Sequence, residues 1–199
     1  MLFGFAGTNN FDGGGGADII RGGSGRDWVR GYAELETVEG YGGRDVVSFD
    51  SNTTGAVIFD IDSEHLSVAN IGSNFGTYWD FEVFVGSRNS DRFVVSSSYS
   101  SSKFIELLGG GSDDEYVFES NISGTFSIND TGSRDRIYFG EEEFSGPATQ
   151  EEQGNLYYTL NDIIIVNYGD GLLVLRDDLS IYLENWQNGD FGIELQDLP

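Results

Sequence analysis

Apolar residues along this chain come in short clusters, each flanked by glycine and acidic residues, and at the start the clusters recur every nine residues. From Gly4 to Ser48 the chain reads, without insertion, GFAGTNNFD, GGGGADIIR, GGSGRDWVR, GYAELETVE and GYGGRDVVS. The first position is always glycine: Gly4, Gly13, Gly22, Gly31 and Gly40. The sixth is acidic or amide (Asn9, Asp18, Asp27, Glu36, Asp45), and the eighth is apolar (Phe11, Ile20, Val29, Val38, Val47). This period predicts one short strand per repeat with its eighth residue facing inward, and stacked copies closing a continuous core that no single repeat buries alone. Glycines let the intervening loop take left-handed backbone angles, so that its carbonyl oxygens converge. Converging carbonyls call for a cation, and a carboxylate at the sixth position adds the anionic oxygen that a hard divalent ion prefers.

After Ser48 the strict period lapses, but similar loops return at Gly86–Val94, Gly109–Val117 and Gly132–Tyr138. Asp91 and Asp114 fit the sixth position. Asp113 is an alternative to its neighbour, and Asp135 fits only with a loop two residues shorter. Strand-like runs lie between them at Ala56–Ile61, Phe81–Val85, Phe104–Leu108 and Phe126–Ile128. Ser96–Ser102 (SSSYSSS) reads as an exposed loop, and so does Glu141–Gly154, with its glutamates, glycines and Pro147. The tail alternates again through Leu156–Leu160, Ile163–Val166, Leu172–Leu175, Ile181–Leu183 and Phe191–Leu195, with a hairpin turn at Asn167–Gly171. The expected fold is all-β, a solenoid of stacked strands closed by a C-terminal antiparallel β cap. Its expected division is 1–50 strict repeats, 51–140 longer coils and 141–199 cap.

Composition narrows the chemistry. The 199 residues carry 34 Asp and Glu against 10 Lys and Arg, a formal charge of −24, which argues against nucleic acid as a partner. There is no cysteine and one histidine, so disulfides, zinc–thiolate sites and thiol nucleophiles are excluded and calcium is the candidate ion. No apolar run approaches the roughly 20 residues of a membrane-spanning helix. Met-Leu-Phe-Gly-Phe lacks the cationic start and long apolar run of a cleaved export signal.

The five nonapeptides resemble the GGxGxDxUx repeats of the RTX family. The resemblance implies a right-handed parallel β-roll formed on calcium, and secretion from a Gram-negative bacterium, unfolded, through a type I secretion apparatus. It also implies ions shared between alternate loops. One row would use Asn9, Asp27 and Asp45, the opposite row Asp18 and Glu36, with carbonyls from Gly13, Gly15, Gly22, Ser24, Gly40 and Gly42. Two repeats depart from the pattern: Glu34 and Glu36 replace Gly and Asp, and Phe5 and Asn9 do the same in the first repeat. The closing ENWQNGDFGIEL resembles segments that follow RTX repeats. By this reading the chain is a C-terminal or internal module of a larger toxin, protease, lipase, epimerase or adhesin.

Other chemistries find little support. His65 lacks partners for a nucleophilic triad or a zinc site. Asp60, Asp62 and Glu64 imitate an EF-hand start, but His65 and Ile71 stand at its diagnostic positions. With 34 acidic residues a glycosidase-like carboxylate pair has no specificity. Phe75, Tyr78, Trp79, Phe81 and Phe84 read as core packing, or else as a stacking platform for a sugar or partner. Trp28 is expected at the surface and Trp186 in the cap's core. The −24 charge should keep the chain unfolded until calcium binds, at about 10⁻⁴ to 10⁻³ M outside the cell. The alternative is a calcium-dependent module binding a carbohydrate or protein ligand. An enzyme ranks third, and none is expected. A threonine-ladder ice-binding surface is disfavoured, because the threonines share no phase.

Overall fold

Glycine-punctuated repeats with one inward residue each give strands too short to stand alone, and stacking holds them. The computed structural model describes all residues except 32–35, 52–54, 63–64, 71–74, 98, 133, 154–155 and 199. The N-terminal strands are β1 (Leu2–Phe3), β2 (Asn10–Asp12), β3 (Ile19–Ser24), β4 (Trp28–Arg30), β5 (Thr37–Gly42) and β6 (Val46–Ser48). Next come β7 (Val57–Ile61), β8 (His65–Asn70), β9 (Phe75–Trp79), β10 (Val83–Val85), β11 (Arg92–Val95), β12 (Ser100–Leu108), β13 (Glu115–Phe118), β14 (Ser123–Asn129) and β15 (Arg136–Phe139). The last are β16 (Glu142–Glu143), β17 (Gly146–Gln150), β18 (Tyr157–Leu160), β19 (Ile163–Asn167), β20 (Gly171–Arg176), β21 (Leu179–Glu184) and β22 (Ile193–Gln196). Among the described residues no helix is long and apolar enough to cross a membrane.

The strands form two sheets. One runs β1-β3-β5-β9-β8-β7-β11-β13-β15-β16, the other β2-β4-β6-β10-β12-β14-β21-β20-β19-β18-β17-β22. Parallel pairing sets the inward residues in register. On the second sheet the row is Phe11, Val29, Val47, Phe84, Leu107, Ile128 and Leu183. On the first it is Ile20, Val38 and Tyr78, and further on Phe59, Phe93, Tyr116 and Ile137. All are buried, and one hydrophobic cluster runs from Phe11 to Ile193. The architecture is a parallel β-roll with an antiparallel C-terminal cap, as the resemblance implies. The cap joins by parallel pairing of β14 with β21, then folds back through antiparallel β20, β19, β18 and β17.

Several expectations need correction. The longer-coil region is not a plain continuation: β7, β8 and β9 form an antiparallel meander where the second sheet steps once, from β6 to β10. The first sheet thereby gains two strands, and the adjoining core is aromatic, with Phe49, Phe59, Tyr78, Phe81 and Phe84 in edge-to-face contact at 5.6–6.3 Å. Tyr78, Phe81 and Phe84 are therefore core, and Trp79 faces outward. Ser96–Ser102 is not an exposed loop, because Tyr99 is buried against Phe126 at 5.1 Å and Ser100–Ser102 begin β12. Glu141–Gly154 contains β16 and β17, anchored by buried Phe144 and Ala148. Pro147 is accommodated because β18 pairs only with Thr149 and Gln150, beyond it. Phe191 lies in a 3₁₀ turn, and the last strand begins at Ile193. Trp28 is exposed and Trp186 buried, as expected. Glu34 and the side chains of His65 and Phe75 lie outside what the structure describes.

Candidate metal centre

Because parallel coils superpose equivalent loops, an acidic residue just before a strand meets the same position in the next coil. On the second sheet the Asn9 amide donates to Asp27 Oδ1 (2.9 Å), the Asp27 amide to Asp45 Oδ1 (2.8 Å), and the Asp45 amide to Glu82 Oε2 (3.0 Å). The first sheet carries a second carboxylate ladder. There the Val57 amide donates to Asp91 Oδ1 (2.7 Å), the Asp91 amide to Asp114 Oδ1 (2.6 Å) and the Asp114 amide to Asp135 Oδ1 (3.0 Å). Asp27, Asp45, Asp91 and Asp114 are all but inaccessible, and Glu82 and Asp135 are buried too. Such burial is costly for ionised groups unless something positive accompanies them.

Their second oxygens show where it would go. Asp27 Oδ2 accepts the Gly23 amide (2.9 Å) and Asp91 Oδ2 that of Ser87. Asp45 Oδ2 and Asp114 Oδ2 are buried with no hydrogen-bond partner among the described residues. The opening glycines Gly22, Gly40, Gly86, Gly109 and Gly132 each face a carboxylate oxygen of their own coil, whereas Gly31 packs on the Phe49 ring. A methyl on Gly22 would lie 2.5 Å from both Asp27 Oδ2 and the Gly40 carbonyl oxygen, and one on Gly40 would lie 2.6 Å from Asp45 Oδ2 and 2.7 Å from the Asp80 carbonyl. The donors are oxygens throughout, which suits a hard divalent cation. The residues present fit the ion that the repeat implies.

The electrostatics agree. Burial, reinforced by Glu82 and Asp27, pushes Asp45 up to about 6. Burial with Asp130, Asp91 and Asp135 nearby pushes Asp114 up to about 8, and burial beside Asp130 and Asp113 brings Asp135 to about 6. Asp91 is raised as well, chiefly by burial. Amide hydrogen bonds offset only part of this cost.

The remaining expected ligands fall as follows. The Gly22 and Gly40 carbonyls do point at the opening glycines of the preceding coils, Gly4 and Gly22. The Ser24 and Gly42 carbonyls accept inter-coil amides from Gly7 (3.3 Å) and Gly25 (2.7 Å). Asn9 donates its side-chain amide to Asp27 Oδ1 (2.6 Å) and the Gly7 carbonyl (3.1 Å). In the opposite row Asp18 is half-buried beside Gly13 and 3.8 Å from the N-terminal amine, and Gly15 is exposed. Glu36 is buried and receives the Tyr78 hydroxyl at 3.5 Å. Sequence reasoning missed Glu82, Asp130, Tyr116 and Lys103. Glu82 carries a usable signal: like Asp27, Asp45, Asp91, Asp114 and Asp135, it stands two residues before an inward apolar residue.

No protein-family model matches the chain, and no curated protein matches it. Among solved structures, the crystal structure of the extracellular lipase LipA from Serratia marcescens aligns with 96% of this chain at 12% identity and a TM-score of 0.32. This chain spans 40% of the length of that lipase chain. So loose a likeness carries no weight for function, and the fold stands on its own strand pairing.

Proposed function

We propose that this chain is a calcium-binding β-roll module of the RTX kind, which folds where calcium is abundant and serves the export, folding and stability of a larger secreted protein. The observation that carries this reading is the pair of buried oxygens, Asp45 Oδ2 and Asp114 Oδ2, without a hydrogen-bond partner among the described residues and each in a glycine-lined cradle of oxygens. Calcium there replaces the missing positive charge, and binding energy available only to the folded state becomes folding energy. Roughly six ions would cancel about half of the −24 formal charge. At cytosolic calcium the chain stays open enough for a type I secretion channel, and at about 10⁻⁴ to 10⁻³ M outside it closes.

The test is a calcium titration followed by far-UV circular dichroism, with magnesium as control and Asp45→Asn and Asp114→Asn alongside. A cooperative gain of β signal with calcium but not magnesium, shifted to higher calcium in both variants, is expected. Full folding in chelator with no response to calcium would overturn the reading.

A further inference from the structure

One carboxylate of the second ladder stands outside the repeat altogether. Asp130 occupies no sixth position; it follows β14 on the opposite sheet and enters a loop, Gly132–Asp135, two residues shorter than the others. Asp130 brings charged oxygen to the corner where Asp114 and Asp135 meet. Asp114, Asp130 and Asp135 each offer a carboxylate oxygen within 4.8 Å of the others.

Two further observations show that these oxygens converge for a ligand. Asp114 is 0% exposed, and its Oδ2 has no hydrogen-bond partner among the described residues. A methyl on Gly109 would collide with Asp114 Oδ2, Asp130 Oδ2 and the Tyr116 hydroxyl together, so all three point into one small space. Asp130 is fixed there: its Oδ1 accepts the amides of Thr131 (2.7 Å) and Gly132 (3.0 Å), and its Oδ2 accepts the Tyr116 hydroxyl (2.6 Å). Tyr116 is itself held by ring stacking on Phe93 at 5.1 Å.

We propose that Asp114, Asp130 and Asp135 form a three-carboxylate calcium site, with Tyr116 as the positioning residue that aims Asp130 into it. The choice of ion rests on the calcium reading above; the site itself rests on the convergence. Oxygens around calcium sit at about 2.3–2.6 Å, so ligand atoms span at most about 4.6–5.2 Å, a span that the three oxygens fit. Three carboxylates oppose a single divalent charge, which sets this site apart from the carbonyl-rich loops of the strict repeats.

Equilibrium dialysis against radioactive calcium on the full chain tests it, counting ions in the wild type, Asp130→Asn, Tyr116→Phe and Asp45→Asn. Asp130→Asn keeps the turn-forming acceptor but removes the charge, and should lose one ion per chain. Tyr116→Phe should keep the count and bind that ion about tenfold more weakly. An unchanged count and affinity in both variants, with Asp45→Asn still losing an ion, overturns this site and leaves the proposed function standing. A wild type that binds no calcium overturns both. If Asp130→Asn does not fold, Tyr116→Phe decides: an unchanged binding curve sinks the proposal, and one weakened ion supports it.

Discussion

The two carboxylate ladders obey one rule and end in opposite ways. In both, an aspartate two residues before the inward apolar side chain takes the amide of its counterpart one coil earlier. The coil repeat differs, at 18 residues between Asp27 and Asp45 but 23 between Asp91 and Asp114 and 21 between Asp114 and Asp135. What persists across those lengths is the meeting of carboxylate and amide, not the nonapeptide. The first ladder terminates on Glu82, whose Oε1 lies 2.6 Å from Lys103 Nζ, so the protein supplies its own cation there. The second terminates where Asp130 adds another anion. Calcium should matter more to the second.

The largest effect expected from that difference comes from Gly109→Ala. The added methyl meets three oxygens, two of them carboxylate, and overpacking of this kind costs about 3 kcal/mol. Gly111→Ala meets nothing within 4 Å and is the matched control. Urea unfolding in saturating calcium should lower the midpoint of the first and leave the second unchanged; equal behaviour of the two would refute the crowding.

Next in size is a change of sign at Asp45. Asp45→Ala strands the buried Asp27 amide and should cost about 1–3 kcal/mol with or without calcium. Asp45→Asn keeps an acceptor and removes the buried charge. In chelator it should therefore be more stable than the wild type, and in calcium less stable. If its β signal in chelator and its urea midpoint in calcium both fall, the carboxylate is not waiting for a cation.

The first region was legible because its period is unbroken: the inward residues, the buried aspartates and the exposed Trp28 all follow from a nine-residue phase. The second was legible only at Asp91 and Asp114, where the opening glycine stands five residues ahead as in the repeats. Asp135 keeps its glycine at a shorter distance, and Glu82 has none. Asp130 leaves no pattern, because it reaches the corner from the opposite sheet, through a contact between coils rather than along one. The meander went unseen for a related reason: β8 pairs antiparallel with both β7 and β9, and nothing in a local run of residues gives a strand's direction. Tyr99 shows how one aromatic residue outweighs six serines once a core lies within reach.

The ladders should also separate by pH. A carboxylate whose pKa rises on folding destabilises the fold wherever it must ionise, and the penalty fades as pH falls through the folded value toward 3.8. In chelator the far-UV β signal should thus climb as pH drops from about 8, set by Asp114, and climb further through about 6, where Asp45 and Asp135 follow. In calcium the proton is a competitor, so affinity should fall over the same range. Asp114→Asn should flatten the step near 8 and leave the one near 6. A β signal in chelator that rises with pH would contradict the assignment.

The smallest effect, and the sharpest on how the ladders differ, belongs to Lys103→Gln. The ammonium is largely exposed, so its bridges to Glu82 (2.6 Å) and Asp80 (3.3 Å) contribute at most about 1 kcal/mol, and the chelated chain should lose no more than that. Its field also helps hold down the pKa of Asp45, against the burial that raises it. A cation fixed at one end of a ladder repels a second cation entering beside it, so removing the ammonium should tighten calcium binding on the first ladder by about twofold. Stability without calcium and affinity for calcium then move in opposite directions, a pairing that loss of packing alone does not produce. Isothermal titration calorimetry of Lys103→Gln beside the wild type reads the affinity. Weaker calcium binding in the variant would mean that the lysine organises the site rather than standing in for its ion.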